Sequence, residues 1–114
     1  YLVEQLDQRG IAFIHFVEGV TGGPRQLAGF DFAWARKAFR GAYIANNGYD
    51  RQAAIDAVAS GQADAIAFGR PFIANPDLVE RLKSNATLNK PDPRTFYAPG
   101  PQGYIDYPPL QAAA

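Results

Sequence analysis

Three short apolar runs, each separated from the next by a helical stretch, constrain this chain more than any other feature. Ile11 to Val17 is nearly continuous in β-branched and aromatic residues. Gly41-Ala42-Tyr43-Ile44-Ala45 and Ala63 to Phe68 repeat that character. Runs of this length with no polar alternation are the pattern of strands covered on both faces of a parallel sheet. Between them the helix signals are local. Leu2, Val3 and Leu6 recur at helical spacing and Gly10 follows, predicting a helix that ends near Arg9. Asp31 can cap a helix through Phe39. Asp50 can cap another whose Ala54, Ile55 and Val58 form an apolar stripe, with Gly61 where it should stop. Gly69-Arg70-Pro71 breaks the third strand, and Asn75-Pro76 offers a cap with proline at the first helical position, opening a helix to about Lys83. The order α-β-α-β-α-β-α implies right-handed crossovers and an α/β fold with a parallel sheet.

Three parallel strands leave an open row of backbone donors and acceptors on each outer strand, so something is expected to cover them. Closure into a (β/α)8 barrel would do so, but a complete barrel runs to roughly 250 residues, and this chain has 114. A flavodoxin-like domain is the competing solution at this size. It needs about five strands, and only three are found. The expectation is part of a TIM barrel, completed by another chain or segment.

Composition narrows the function classes. Eleven Lys+Arg balance eleven Asp+Glu, and neither sign is gathered into a run that would attract nucleic acid or an anionic membrane. There is no cysteine, which removes disulfides, thiolate nucleophiles and Cys-ligated metals. The run from Ile11 to Val17 is too short to span a bilayer, and the first residues lack a basic stretch followed by a hydrophobic one. A soluble, cytoplasmic protein is therefore expected. From about Leu88 onward the chain changes character and holds six of its nine prolines and three of its six tyrosines. The organisation expected is thus β/α units over 1–88 and a Pro/Tyr-rich segment over 89–114 that packs near the active-site face.

In barrels, the turns after the last two strands commonly hold a phosphate through backbone N–H groups. Asn47-Gly48 ends one strand and Gly69-Arg70 ends the next, and right-handed crossover would set these turns side by side. Glycine lets the backbone approach an oxyanion, and Arg70 adds a forked, permanently charged donor. On residue types alone, two tight turns with Arg70 paired to Asp77 is an equal reading. His15, alone in an apolar strand, reads as a hydrogen-bonded core residue more readily than as a base. Glu18 stands at the exit of that strand with no carboxylate or histidine at a spacing that would make a catalytic pair. No metal site is visible.

Several segments together carry a resemblance. They are Ile44-Ala45-Asn46-Asn47-Gly48-Tyr49-Asp50, the stretch from Ala63 to Leu78, Thr95-Phe96-Tyr97, and Gly103-Tyr104-Ile105-Asp106-Tyr107-Pro108. In this order and spacing the chain resembles the C-terminal part of the Old Yellow Enzyme family across essentially its whole length. The resemblance implies an α/β chain forming about strands six to eight of a (β/α)8 TIM barrel. It also implies FMN as cofactor, NADH or NADPH as reductant, and reduction of alkenes conjugated to a carbonyl or nitro group. Asn47, Gly48, Gly69 and Arg70 fall where the family holds the FMN phosphate. Phe96 falls beside the flavin, Tyr97 lines the substrate pocket, and the stretch from Glu18 to Trp34 matches the loop covering the active site. Many relatives have two glycines where this chain has Asn47-Gly48. The family's carbonyl-gripping pair and its proton-donating tyrosine belong to earlier barrel units, so no catalytic residue is expected here. A complementary polypeptide should carry those units. Two alternatives remain: a phosphate-binding barrel of isomerase or aldolase type, and a non-catalytic fragment or assembly partner.

Overall fold

The computed structural model describes residues 1–110 and divides into two compact units, one from Tyr1 to Ala67 and the other from Phe68 onward. In the first unit, α1 (Leu2–Gln8) precedes β1 (Phe13–Val17), α2 (Phe32–Ala38), β2 (Ala42–Asn46), α3 (Arg51–Ala59) and β3 (Ala65–Ala67). The strands form one parallel sheet in the order β1-β2-β3, with Ile14 opposite Tyr43, Phe16 opposite Ala45, and Ala45 opposite Ile66. This is the α/β arrangement expected from the three apolar runs.

Both expected aspartate caps are present. The Asp31 carboxylate accepts from the Ala33 N–H at 2.9 Å and the Asp50 carboxylate from the Ala53 N–H at 2.8 Å. Each satisfies one of the donors a helix start leaves unpaired. The core lies on one face of the sheet, where Ile14, Tyr43 and Ala45 pack with Val3 of α1, Ala35 of α2 and Phe39 beyond it.

The other face differs from the expectation of strands covered on both sides. Phe13 is 55% and Val17 49% exposed, and His15 between them is exposed as well. The period-2 alternation of a strand sends these three residues to the face opposite Ile14 and Phe16. His15 is therefore not a core residue within this chain.

In the second unit the helical reading is corrected. Gly69-Arg70-Pro71 does not merely end a strand: a short helix, α4 (Arg70–Ala74), begins there with Gly69 as its N-cap. Proline at the second helical position costs no intrahelical bond because that N–H has no partner in any case. Asn75-Pro76 then separates α4 from α5 (Leu78–Ser84) instead of opening it, and Asp77 takes the cap position. The ring of Pro76 keeps Asn75 extended, at φ −136° and ψ 93°. The fully buried Asn75 side chain serves two other partners, donating to the Pro71 carbonyl at 2.8 Å and accepting from the Asn89 N–H at 2.7 Å.

The Pro/Tyr-rich stretch is packed, not loose. Arg81, 4% exposed, donates to the Asp77 carboxylate at 2.6 Å and to the carbonyls of Thr87 at 2.6 Å and Pro108 at 2.9 Å. Asn89 donates to the carbonyls of Ala74 and Pro108, both at 2.8 Å. The Tyr107 hydroxyl accepts from the Asp92 N–H at 2.9 Å. A single 3₁₀ turn, Pro93–Thr95, precedes Phe96 and Tyr97.

Candidate functional site

The carboxyl ends of β1 and β2 carry the polar residues of the first unit. Glu18, directly after β1, is only 9% exposed. Its carboxylate accepts from the Tyr43 hydroxyl at 3.0 Å and the Tyr49 hydroxyl at 2.7 Å. Burial and then the neighbouring Glu18 charge raise the Tyr43 pKa far above the ordinary phenol value. Burial and the Glu18 hydrogen bond also raise that of Tyr49. Both phenols therefore stay protonated and donate, which is how a buried carboxylate without a cation partner is stabilised.

Asn47, directly after β2, has φ +96°. Its side-chain amide donates to the Glu18 carbonyl at 2.5 Å and the Val20 carbonyl at 2.9 Å, and its oxygen accepts from the Gly22 N–H at 3.2 Å. The Asn47 side chain is thus committed to the loop that follows β1. Gly48 is the freer member of the pair. It is exposed with φ +67°, nothing lies within 4 Å of where a Cβ would stand, and no described residue accepts its N–H. This openness allows a close backbone approach to an anion, and glycine adopts the positive φ without strain.

In the second unit, Gly69 is exposed and open in the same sense at the start of α4, and Arg70 follows it, also exposed. Among the described residues Arg70 has no hydrogen-bond or ion-pair partner. The partner considered for it from sequence, Asp77, is taken by Arg81 and by the Leu110 N–H. Phe96 is half-buried after the 3₁₀ turn, and Tyr97 is 98% exposed with φ +61°. Sequence reasoning missed Tyr43 and Tyr49 as the partners of Glu18, because only acidic and histidine partners were sought for it. It also missed buried Arg81, although Asp77 and Arg81 stand at the four-residue spacing of a helical ion pair.

Among the described residues, no helix is long and apolar enough to cross a membrane and no cluster of three or more His, Asp or Glu could hold a metal. Taken separately, the first unit offers the open Gly48 N–H, and the second offers the Gly69 turn with the Arg70 guanidinium; each is a donor type suited to a phosphate.

Residues 2–89 match the model of the NADH:flavin oxidoreductase / NADH oxidase family. A probable flavin mononucleotide-dependent alkene reductase of Leishmania infantum is 44% identical over 95% of this chain and 29% of its own length. 12-Oxophytodienoate reductase 2 of Arabidopsis thaliana is 40% identical over 100% of this chain and 31% of its own. Among solved structures, morphinone reductase in complex with tetrahydroNAD superposes with a TM-score of 0.84 at 45% identity, covering 97% of this chain and 29% of that one. The old yellow enzyme of Trypanosoma cruzi gives 0.87 at 38% identity, covering 96% and 29%. The chain spans about three tenths of the length of the relatives it matches. With three parallel strands, α/β connections and this likeness, the chain is part of an Old Yellow Enzyme barrel and belongs to the NADH:flavin oxidoreductase / NADH oxidase family.

Proposed function

We propose that this chain forms about strands six to eight, the C-terminal portion, of an FMN-dependent ene-reductase. In this role it supplies the FMN phosphate site and part of the substrate pocket. The observation that carries the reading is Arg70, an exposed guanidinium beside an open glycine turn, without a partner among the described residues of a chain from a flavin oxidoreductase family. Gly48 and Gly69 present backbone N–H groups to the phosphate, and Arg70 neutralises its charge with a forked contact. Asn47 supports that contact indirectly, by holding the backbone that leads into Gly48. Phe96 lies against the flavin, and Tyr97 borders the alkene. When bound, FMN would supply hydride transfer between NADH or NADPH and an alkene conjugated with a carbonyl or nitro group. The proton donor and the residues that grip the activating group belong to the remaining barrel units, on a complementary polypeptide or a further segment.

The test is the FMN affinity of Arg70→Ala, measured by flavin fluorescence titration on the complete protein. Loss of a charge-assisted contact should weaken FMN roughly 10- to 150-fold. Unchanged affinity would overturn the assignment.

A further inference from the structure

The loop after β1 is held by a device that the phosphate reading does not use. Val20 is 54% exposed, and Leu27 and Phe30 are 41% exposed each, so apolar burial does little to place this loop. Its far end rests on aromatic contacts, with the Phe30 ring 6.0 Å from Phe16 and 4.8 Å from Phe32. Its near end is held in two ways: the Asn47 side chain grips Val20 and Gly22, and a second set of contacts runs through Glu18. The Glu18 N–H donates to the Asn46 carbonyl at 3.0 Å, which extends the sheet ladder by one residue. The Glu18 carboxylate takes the Tyr49 hydroxyl, and the Arg25 guanidinium lies over the Tyr49 ring, 4.1 Å from its centroid. Arg25 itself belongs to the loop. A carboxylate stripped of water must keep its hydroxyl donors, so Glu18 fixes the direction of the Tyr49 ring, and the ring fixes the seat of Arg25.

We propose that Glu18 is a positioning residue of the loop 19–30 beside Asn47, acting through Tyr49 on Arg25, and that it sets substrate affinity without touching the substrate. The effect on substrate rests on the reading of this loop as the cover of an ene-reductase pocket; the latch itself does not. Tyr43 shares the load at the carboxylate but is itself a core residue. Tyr49→Phe is therefore the cleaner variant, because it keeps the ring under Arg25 and removes only the hydroxyl.

The experiment is limited trypsin digestion of the complete protein, following cleavage after Arg25 in the native form, Tyr49→Phe and Glu18→Ala, together with alkene kinetics. Loss of a hydrogen bond to a charged acceptor should raise the open population, and with it Arg25 cleavage, roughly tenfold or more. Cleavage after the exposed Arg40, Lys83 and Arg94 should not change. Apparent KM for the alkene should rise several-fold, on the order of the same loss, with kcat within about twofold. Unchanged Arg25 cleavage in both variants, or equal acceleration at every site, would overturn the latch. Faster Arg25 cleavage with unchanged KM would overturn its role in substrate affinity. A native protein that binds no FMN would count against the proposed function alone, since the digestion still decides the latch.

Discussion

At the scale of the residue, Asn47 shows how one side chain can stabilise a backbone it also strains. Its φ of +96° lies in the region that disfavours a Cβ, and asparagine tolerates it better than most residues because its short amide can bond locally. Here the bonds are not local: they reach Glu18, Val20 and Gly22, 25 to 29 residues earlier. The two contributions can be separated. Asn47→Gly loses the three side-chain bonds but relieves the backbone, whereas Asn47→Ala loses the bonds and keeps the strain. Each unsatisfied buried group costs about 1–3 kcal/mol, and left-handed backbone costs a non-glycine residue about 1–2 kcal/mol. Urea unfolding should therefore rank native, then Asn47→Gly, then Asn47→Ala. Equal stability of the two variants would show that strain at this position is negligible. The finding also explains why the Asn-Gly pair was only half readable. The positive φ of Gly48 is a property of its own backbone, carried in the local sequence, whereas Asn47 bonds to partners that only the fold brings within reach.

At the scale of the element, the helices and strands whose signals are self-contained were readable, and those whose signals compete were not. Asp31 and Asp50 each precede an uncontested helical pattern, and both cap as expected. Pro71 and Pro76 stand five residues apart, and each can either open a helix or end one. In the structure both helices form, with Asn75 extended between them and bonded to the distant Asn89, a contact that the local sequence does not announce. The cap of α5, Asp77, then becomes the fastening point for the last described residues. The Leu110 N–H, and after it the Arg81 guanidinium, hold the Asp77 carboxyl below its ordinary value of 3.8. A carboxyl with a depressed folded pKa adds stability that is fully present above the unfolded value and is lost as pH falls through the folded one. The packing of the C-terminal stretch on α5 should therefore be constant above about pH 5 and weaken below 3.8. Hydrogen exchange at the Leu110 amide, compared between the native chain and Asp77→Asn, measures this. The native amide should lose protection in acid, while in Asp77→Asn it should be less protected throughout and lack that transition. Acid-independent protection in the native chain would show that Asp77 is not the fastening.

At the scale of the whole molecule, the exposed face of the sheet decides whether this chain can stand alone. In the first unit, α1 and α2 cover the face bearing Ile14, Tyr43 and Ala45, while Phe13, His15 and Val17 of β1 and Ala42 and Ala65 on the neighbouring strands lie open on the other. A parallel sheet is ordinarily buried on both faces, and among the described residues β1 and β3 additionally leave their outer backbone edges unpaired. A barrel resolves both problems at once, because closure pairs the edges and turns the bare face inward against the other strands. The chain's relatives are about three times its length, and the matched portion leaves room for the strands that closure requires. We therefore expect a companion polypeptide or further segment to pair with β1 and β3 through an interface resembling a divided domain core, beyond roughly 2,000 Å² in total. Expressed by itself, the chain should self-associate or unfold without a cooperative transition in sedimentation and thermal melts. Adding the complementary barrel units should restore solubility, cooperative unfolding and FMN uptake together. A soluble monomer that unfolds cooperatively alone would refute the expectation. It would mean that the helices on one face and the packed Pro/Tyr-rich stretch supply enough burial for an independent α/β domain, with the open face left to solvent.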